Sequence, residues 1–263
     1  MGFFRYMARV CVVATALVTL PGPGHAQDVT VRKSDIVRIL GQLPEFTPIR
    51  EDMRALGFEG EKLDLAVAQI ERMLRDPLIA SNIADRVIAA RLPNVDTVEA
   101  GGLFWPLVDR GLGRLNPREL RYFYVVEQAM LKALPTRECG LTIKERLAPE
   151  RLAKVTGSVA ARLNTPALKE YYRIQFKAAQ FGASQEVFRL APAAEAKAAE
   201  TINRALGRTL ADRPDRKALM RAYRNLNRVG NRRACEAGRL FMDAVLSLEG
   251  RELHNALILL STP

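Results

Sequence analysis

The chain is 263 residues long, 48% hydrophobic and 26% charged, with 40 Lys and Arg against 29 Asp and Glu, a net charge of +11. That length and apolar content support a domain with a sizeable core. Two histidines and three cysteines, with no CxxC spacing, exclude HExxH zinc enzymes, multi-histidine metal sites and thioredoxin-like redox pairs.

The first nine residues carry Arg5 and Arg9 and no acid, and an apolar run from Val10 to Leu20 follows. Pro21, Gly22, Pro23 and Gly24 then break any helix, and Gly24 and Ala26 offer small side chains to a signal peptidase. These features predict a signal peptide over 1–26, cleaved after Ala26, and a periplasmic or secreted product. The apolar run is well short of the roughly twenty residues a membrane-spanning helix needs. No later stretch is long and apolar enough to span a bilayer. Cys11 leaves with the leader, so the mature chain keeps only Cys139 and Cys235. Two thiols in an oxidising compartment predict one disulfide between them.

Residues 27–263 read as a single helical domain with frequent punctuation. Thr47-Pro48, Asp76-Pro77, Asn116-Pro117, Thr165-Pro166 and Asp212-Arg213-Pro214 each place a capping oxygen at or near a proline, which a first helical turn accepts without losing a hydrogen bond. Glu119, three residues after Asn116, predicts a reciprocal capping box. Gly57, Gly182, Gly207, Gly230 and Gly250 fall where helices should stop. Between these marks apolar residues recur at helical spacing, as in Leu63, Ala66, Val67, Ile70, Met73 and Leu74, and in Phe241, Ala244, Val245 and Leu248. No stretch alternates long enough for a strand. The expected fold is all-α: a compact bundle of roughly ten helices stapled by Cys139–Cys235. A helical-repeat array is less favoured, because no period recurs. One irregular stretch, Ala100–Pro106, predicts a bend with Trp105 plugging the core.

Motifs for phosphate, nucleotide and serine chemistry are missing. There is no Walker A loop or G-x-S-x-G elbow, and Gly111-Leu112-Gly113 lacks both a third glycine and a preceding strand. His254 borders an apolar stripe of Leu253, Ala256, Leu257 and Leu260, which suits a boundary residue. No cofactor or metal is expected. Two polar residues nevertheless stand on apolar helix faces. Glu127 shares its face with Phe123, Tyr124, Met130 and Leu131. Desolvation there would raise its pKa, as a general acid requires, and it is the one candidate catalytic residue. The plainer expectation is an ion pair or hydrogen bond from an Arg of the basic half. Gln175 lies among Leu168, Tyr171, Tyr172, Ala178 and Ala179 and is expected to be a buried, hydrogen-bonded amide.

Charge is divided unevenly. Residues 27–130 hold 14 basic and 16 acidic side chains, a balance of −2, whereas residues 131–263 hold 24 and 13, a balance of +11. The densest run follows Pro214, where Lys217, Arg221, Arg224, Arg228 and Arg232 recur at steps of four, three, four and four. Such steps predict a narrow basic stripe along one helix, with Leu219, Ala222, Tyr223, Leu226 and Val229 packed opposite and Gly230 a stop before Arg232. The function expected from these features is non-enzymatic: an exported helical protein of the cell envelope that docks an acidic protein or anionic envelope component through this face. Nucleic acid is not expected, since export separates the two and no aromatic side chain interleaves to stack bases. Two alternatives are a carboxylate-dependent hydrolase of a wall glycan or lipid using Glu127, and a carrier of a small apolar ligand near Tyr124 and Tyr172.

Overall fold

The computed structural model describes residues 32–46, 48–89 and 100–262. The leader, its cleavage point and the Thr47 cap lie outside the described residues. Within them are thirteen α-helices and no strand. In chain order they are α1 (Lys33–Phe46), α2 (Ile49–Ala55), α3 (Gly60–Arg75), α4 (Pro77–Ala89), α5 (Ala100–Leu112), α6 (Pro117–Ala133), α7 (Thr136–Ile143), α8 (Pro149–Ala160), α9 (Thr165–Ser184), α10 (Pro192–Thr209), α11 (Arg216–Arg224), α12 (Asn231–Leu246) and α13 (Gly250–Ser261). A single 3₁₀ turn, Leu226–Arg228, separates α11 from α12. The fold is an all-α compact bundle, with more and shorter helices than the roughly ten expected. None of the described helices is long and apolar enough to cross a membrane.

The bundle is organised about two helices. α9 is surrounded by α3, α4, α5 and α6, while α12 gathers α6, α7, α10, α11 and α13. α6 touches both groups and so joins the two halves of one hydrophobic core. Local chemistry accounts for several helix starts. The Asp76 side chain accepts bonds from the Leu78 and Ile79 amides at 3.0 Å each. Asn116 caps α6 through the Glu119 amide at 2.9 Å. Glu119 does not complete the box, because its carboxylate is taken by cations of α9. The cap of α9 is Asn164, whose side chain accepts from the Ala167 amide at 2.8 Å, so Thr165 is the first helical residue and not the cap. Asp215, rather than Asp212, precedes α11, and it spends its carboxylate on arginines instead of on amides.

Three glycine expectations need correction, and one of them explains the tightest packing. Gly182 lies inside α9, Gly207 inside the last turn of α10, and Gly250 begins α13 at φ +51. A Cβ added to Gly182 would sit 1.9 Å from the Leu107 carbonyl oxygen, and one on Gly111 would sit 1.8 Å from that of Ala178. The α5 and α9 backbones therefore touch. Gly182→Ala should destabilise the protein by roughly 1–3 kcal/mol through overpacking, even though alanine is the better helix former. An unchanged urea midpoint would contradict that close approach. The stretch Ala100–Pro106 is helical, not a bend. Pro106 removes one helical hydrogen bond, but fully buried Leu107 and Val108 reward the helix that presents them. Trp105 is 9% exposed, as a core residue should be.

Cys139 of α7 is bonded to Cys235 of α12. Around the bridge the two helices approach closely, since a Cβ on Gly140 would meet the Asn231 carbonyl oxygen at 2.1 Å. One turn beyond Cys235, the Arg239 guanidinium donates to the carbonyls of Leu131, Lys132 and Leu134 at 3.2, 2.9 and 2.8 Å. These are orphan acceptors at the C-terminus of α6, where the helix dipole also favours a cation. The disulfide and this arginine cap fasten α12 to the α6–α7 corner.

Candidate functional site

Two groupings bear on function: the buried polar pair around Glu127, and the exposed cations of α11. On α6, two carboxylates eight residues apart meet different faces of α9. Glu119 accepts from Lys177 at 2.8 and 3.0 Å and from Arg173 at 2.9 Å. Burial raises its pKa, but those two cations outweigh burial and hold the carboxyl below its ordinary range. Glu127 meets instead the Tyr171 hydroxyl, which donates to it. Gln175, one turn further along α9, hydrogen-bonds to the same phenol. The expected Arg partner is thus replaced by a tyrosine. Arg173 and Lys177 stand on the flank of α9 that faces Glu119, while Tyr171 and Gln175 stand on the flank that faces Glu127.

Burial drives the Glu127 carboxyl up to about 8, against the lowering effect of the Tyr171 bond, and the nearby Asp109 carboxylate adds to the rise. At neutral pH the group is mostly protonated. The side chain is only 2% exposed, so a substrate cannot touch it in this conformation. A general acid must lie within hydrogen-bond reach of the leaving atom. The hydrolase alternative therefore has no exposed acid at Glu127, its candidate residue. Gln175 is buried and hydrogen-bonded, as expected.

The basic stripe is not one helix. α11 ends at Arg224, because Asn225 leaves helical geometry at φ −153 and ψ 69. Asn225 and Asn227 flank Leu226, and asparagine competes with the helix for backbone partners. Tyr223 anchors the corner by donating to the Ala237 carbonyl at 2.8 Å. Consequently Lys217, Arg221 and Arg224 share α11, Arg228 falls on the 3₁₀ turn, and Arg232 lies in the first turn of α12. All five are exposed, and none has an ion-pair partner among the described residues.

Arg216, Lys217, Met220, Arg221 and Arg224 line a shallow hollow of about 570 Å³. Arg228 and Arg232 do not line it. Arg216 was missed in the sequence because it stands immediately before Lys217, off the three- and four-residue steps that define a stripe. No acid lines the hollow, and Asp215 and Glu236 are engaged by other arginines. Arg213 pairs with Asp215 at 3.0 Å and Glu236 at 2.5 Å, and Arg233 pairs with Glu236 at 2.9 Å and also with Asp215. This closed square of two arginines and two acids keeps Asp215 and Glu236 from the cations of the hollow.

The residues considered for an apolar ligand lie in different surroundings. Tyr124 is fully buried and shares a 3.0 Å hydrogen bond with Ser261. Tyr172 lines an open groove of about 430 Å³ between α3 and α9, rimmed by Arg72, Lys169, Glu170 and Arg173. Leu65, Ala68 and Pro166 also line it, so its lining is mixed. His254 is half-buried, as a boundary residue should be, and burial lowers its pKa. Among the described residues no cluster of His, Cys, Asp or Glu could hold a metal ion. No protein-family model matches the chain, and neither the curated proteins nor the solved structures contain a match to it.

Proposed function

We propose that the protein is an exported, non-catalytic helical binding protein of the cell envelope that docks an anionic partner, an acidic protein or an anionic envelope component, on the basic hollow of α11. The observation that carries this reading is the absence of any acid among the residues lining that hollow, although Arg216, Lys217, Arg221 and Arg224 all reach it. Like charges held together without counter-ions repel one another, and an anionic partner relieves that repulsion on docking. Arg228 and Arg232, outside the hollow, contribute to steering more than to contact. The leader-like segment at 1–26 supports export, and the deep burial of Glu127 leaves the hydrolase alternative without an accessible acid.

Reversing Lys217, Arg221 and Arg224 to Glu should weaken binding of anionic probes, polyglutamate or vesicles rich in phosphatidylglycerol, by roughly tenfold or more. Reversing the exposed Arg118, Arg121 and Arg189 makes the same change in net charge on other parts of the surface. Binding should survive that control at low salt. Equal losses in the two triple variants would mean that net charge alone attracts the probes, and the proposal would fail.

A further inference from the structure

The shape and composition of the α11 hollow discriminate among anions. Resting on the docking reading above, we infer that its occupant is an acidic peptide segment of a partner protein, with carboxylates at alternate positions. The hollow is shallow, and every residue lining it except Met220 is a cation, so it offers an extended chain a short row of positive charges. Three of its four cations are arginines, whose planar forks grip carboxylates bidentately. A helix that binds lipid needs an apolar face to insert. On α11 that face is spent, because Leu219 and Ala222 are fully buried and Met220 is partly buried against the core. From Lys217 to Arg224 the helix advances about 10 Å, the span of roughly three residues of extended chain. In such a chain, side chains at alternate positions share one face about 7 Å apart, so two acids two residues apart fit within that span.

The test uses the disulfide-bonded chain with a fluorescein-labelled, alternating Glu-Ser octapeptide, read by anisotropy at low salt. Co-sedimentation with phosphatidylcholine vesicles containing phosphatidylglycerol runs in parallel. The peptide should bind, Arg221→Glu with Arg224→Glu should weaken it roughly tenfold, and a consecutive Ser-rich peptide of lower charge should bind less well. Circular dichroism of the variant should match the parent, because both side chains are exposed. Vesicle binding that depends on Arg221 and Arg224, without peptide binding, would overturn the acidic-peptide occupant and leave the docking reading standing. Binding of neither probe by the unmodified chain would overturn both.

Discussion

Replacing Cys139 and Cys235 together by alanine should lower the unfolding free energy by about 4–5 kcal/mol, the chain-entropy value for a loop on the order of 100 residues. The two cysteines are 96 residues apart, and the bridge forbids every unfolded conformation in which α7 and α12 separate. Alanine is the fitting replacement because both sites are buried, at 0% and 2% exposure, and a serine hydroxyl there would need a new partner. The urea midpoint should fall by roughly 1.5–2 M. Dithiothreitol should produce a similar fall in the unmodified protein and none in the double variant. An unmoved midpoint on replacing both cysteines, or on reducing the unmodified protein, would show that the bridge does not constrain the unfolded chain. The loss should be felt beyond the bridge, since Arg239 on α12 caps the carbonyls that end α6. Amides in the last turn of α6 should exchange faster with solvent in the variant than those near Asn116.

How much of this was legible in the sequence depends on the range of each cause. The all-helical pattern and the Asp76 and Asn116 caps are short-range, fixed by residues three or four positions apart, and they are found in the structure. The cap of α9 was misplaced by one residue because Asn164 and Thr165 both have capping side chains. Gly182 was read as a stop because nothing nearby in sequence signals that Leu107, seventy-five positions earlier, packs its carbonyl against that spot. The disulfide was legible by elimination, since only two thiols remained to pair. At the basic stripe, spacing predicted the face correctly through Arg224 and then failed. A strict periodicity continued to Arg232, but the local preferences of Asn225 and Asn227 ended the helix first. For Glu127, the apolar face indicated burial, and of the two outcomes it offered, the raised pKa holds and the favoured Arg partner does not. Its partner was not legible, because which flank of α9 meets which carboxylate of α6 is decided by packing and not by either stripe alone.

Glu127→Gln should make the protein more stable at pH 8 and above while leaving it nearly unchanged near pH 4.5. The carboxyl titrates near 4.5 when unfolded and is pushed up to about 8 when folded, chiefly by burial. Between those values the folded chain binds a proton that the unfolded chain has released. Stability therefore falls as pH rises through that window, by about 1.4 kcal/mol per pH unit, and levels off above the folded pKa. Other groups slope the opposite way. Glu119 is held down by Lys177 and Arg173, so its contribution is present above the ordinary carboxylate range and lost as pH falls through its lowered value. His254, lowered by burial, likewise costs stability as pH falls below its ordinary value. Both effects are common to parent and variant and cancel in the difference between their curves. That difference, from urea unfolding at a series of pH values, should be near zero at pH 4.5 and reach several kcal/mol at pH 9. Glutamine can still accept the Tyr171 hydrogen bond, and its amide hydrogens stand where the carboxyl proton was. Tyr171→Phe acts in the opposite direction, removing the one donor that favours the charged form, so its loss of stability with rising pH should extend further into alkaline solution. Parallel curves for Glu127→Gln and the parent across this whole range would mean that the carboxylate is as well solvated in the folded chain as in the unfolded one, which its burial between α6 and α9 forbids.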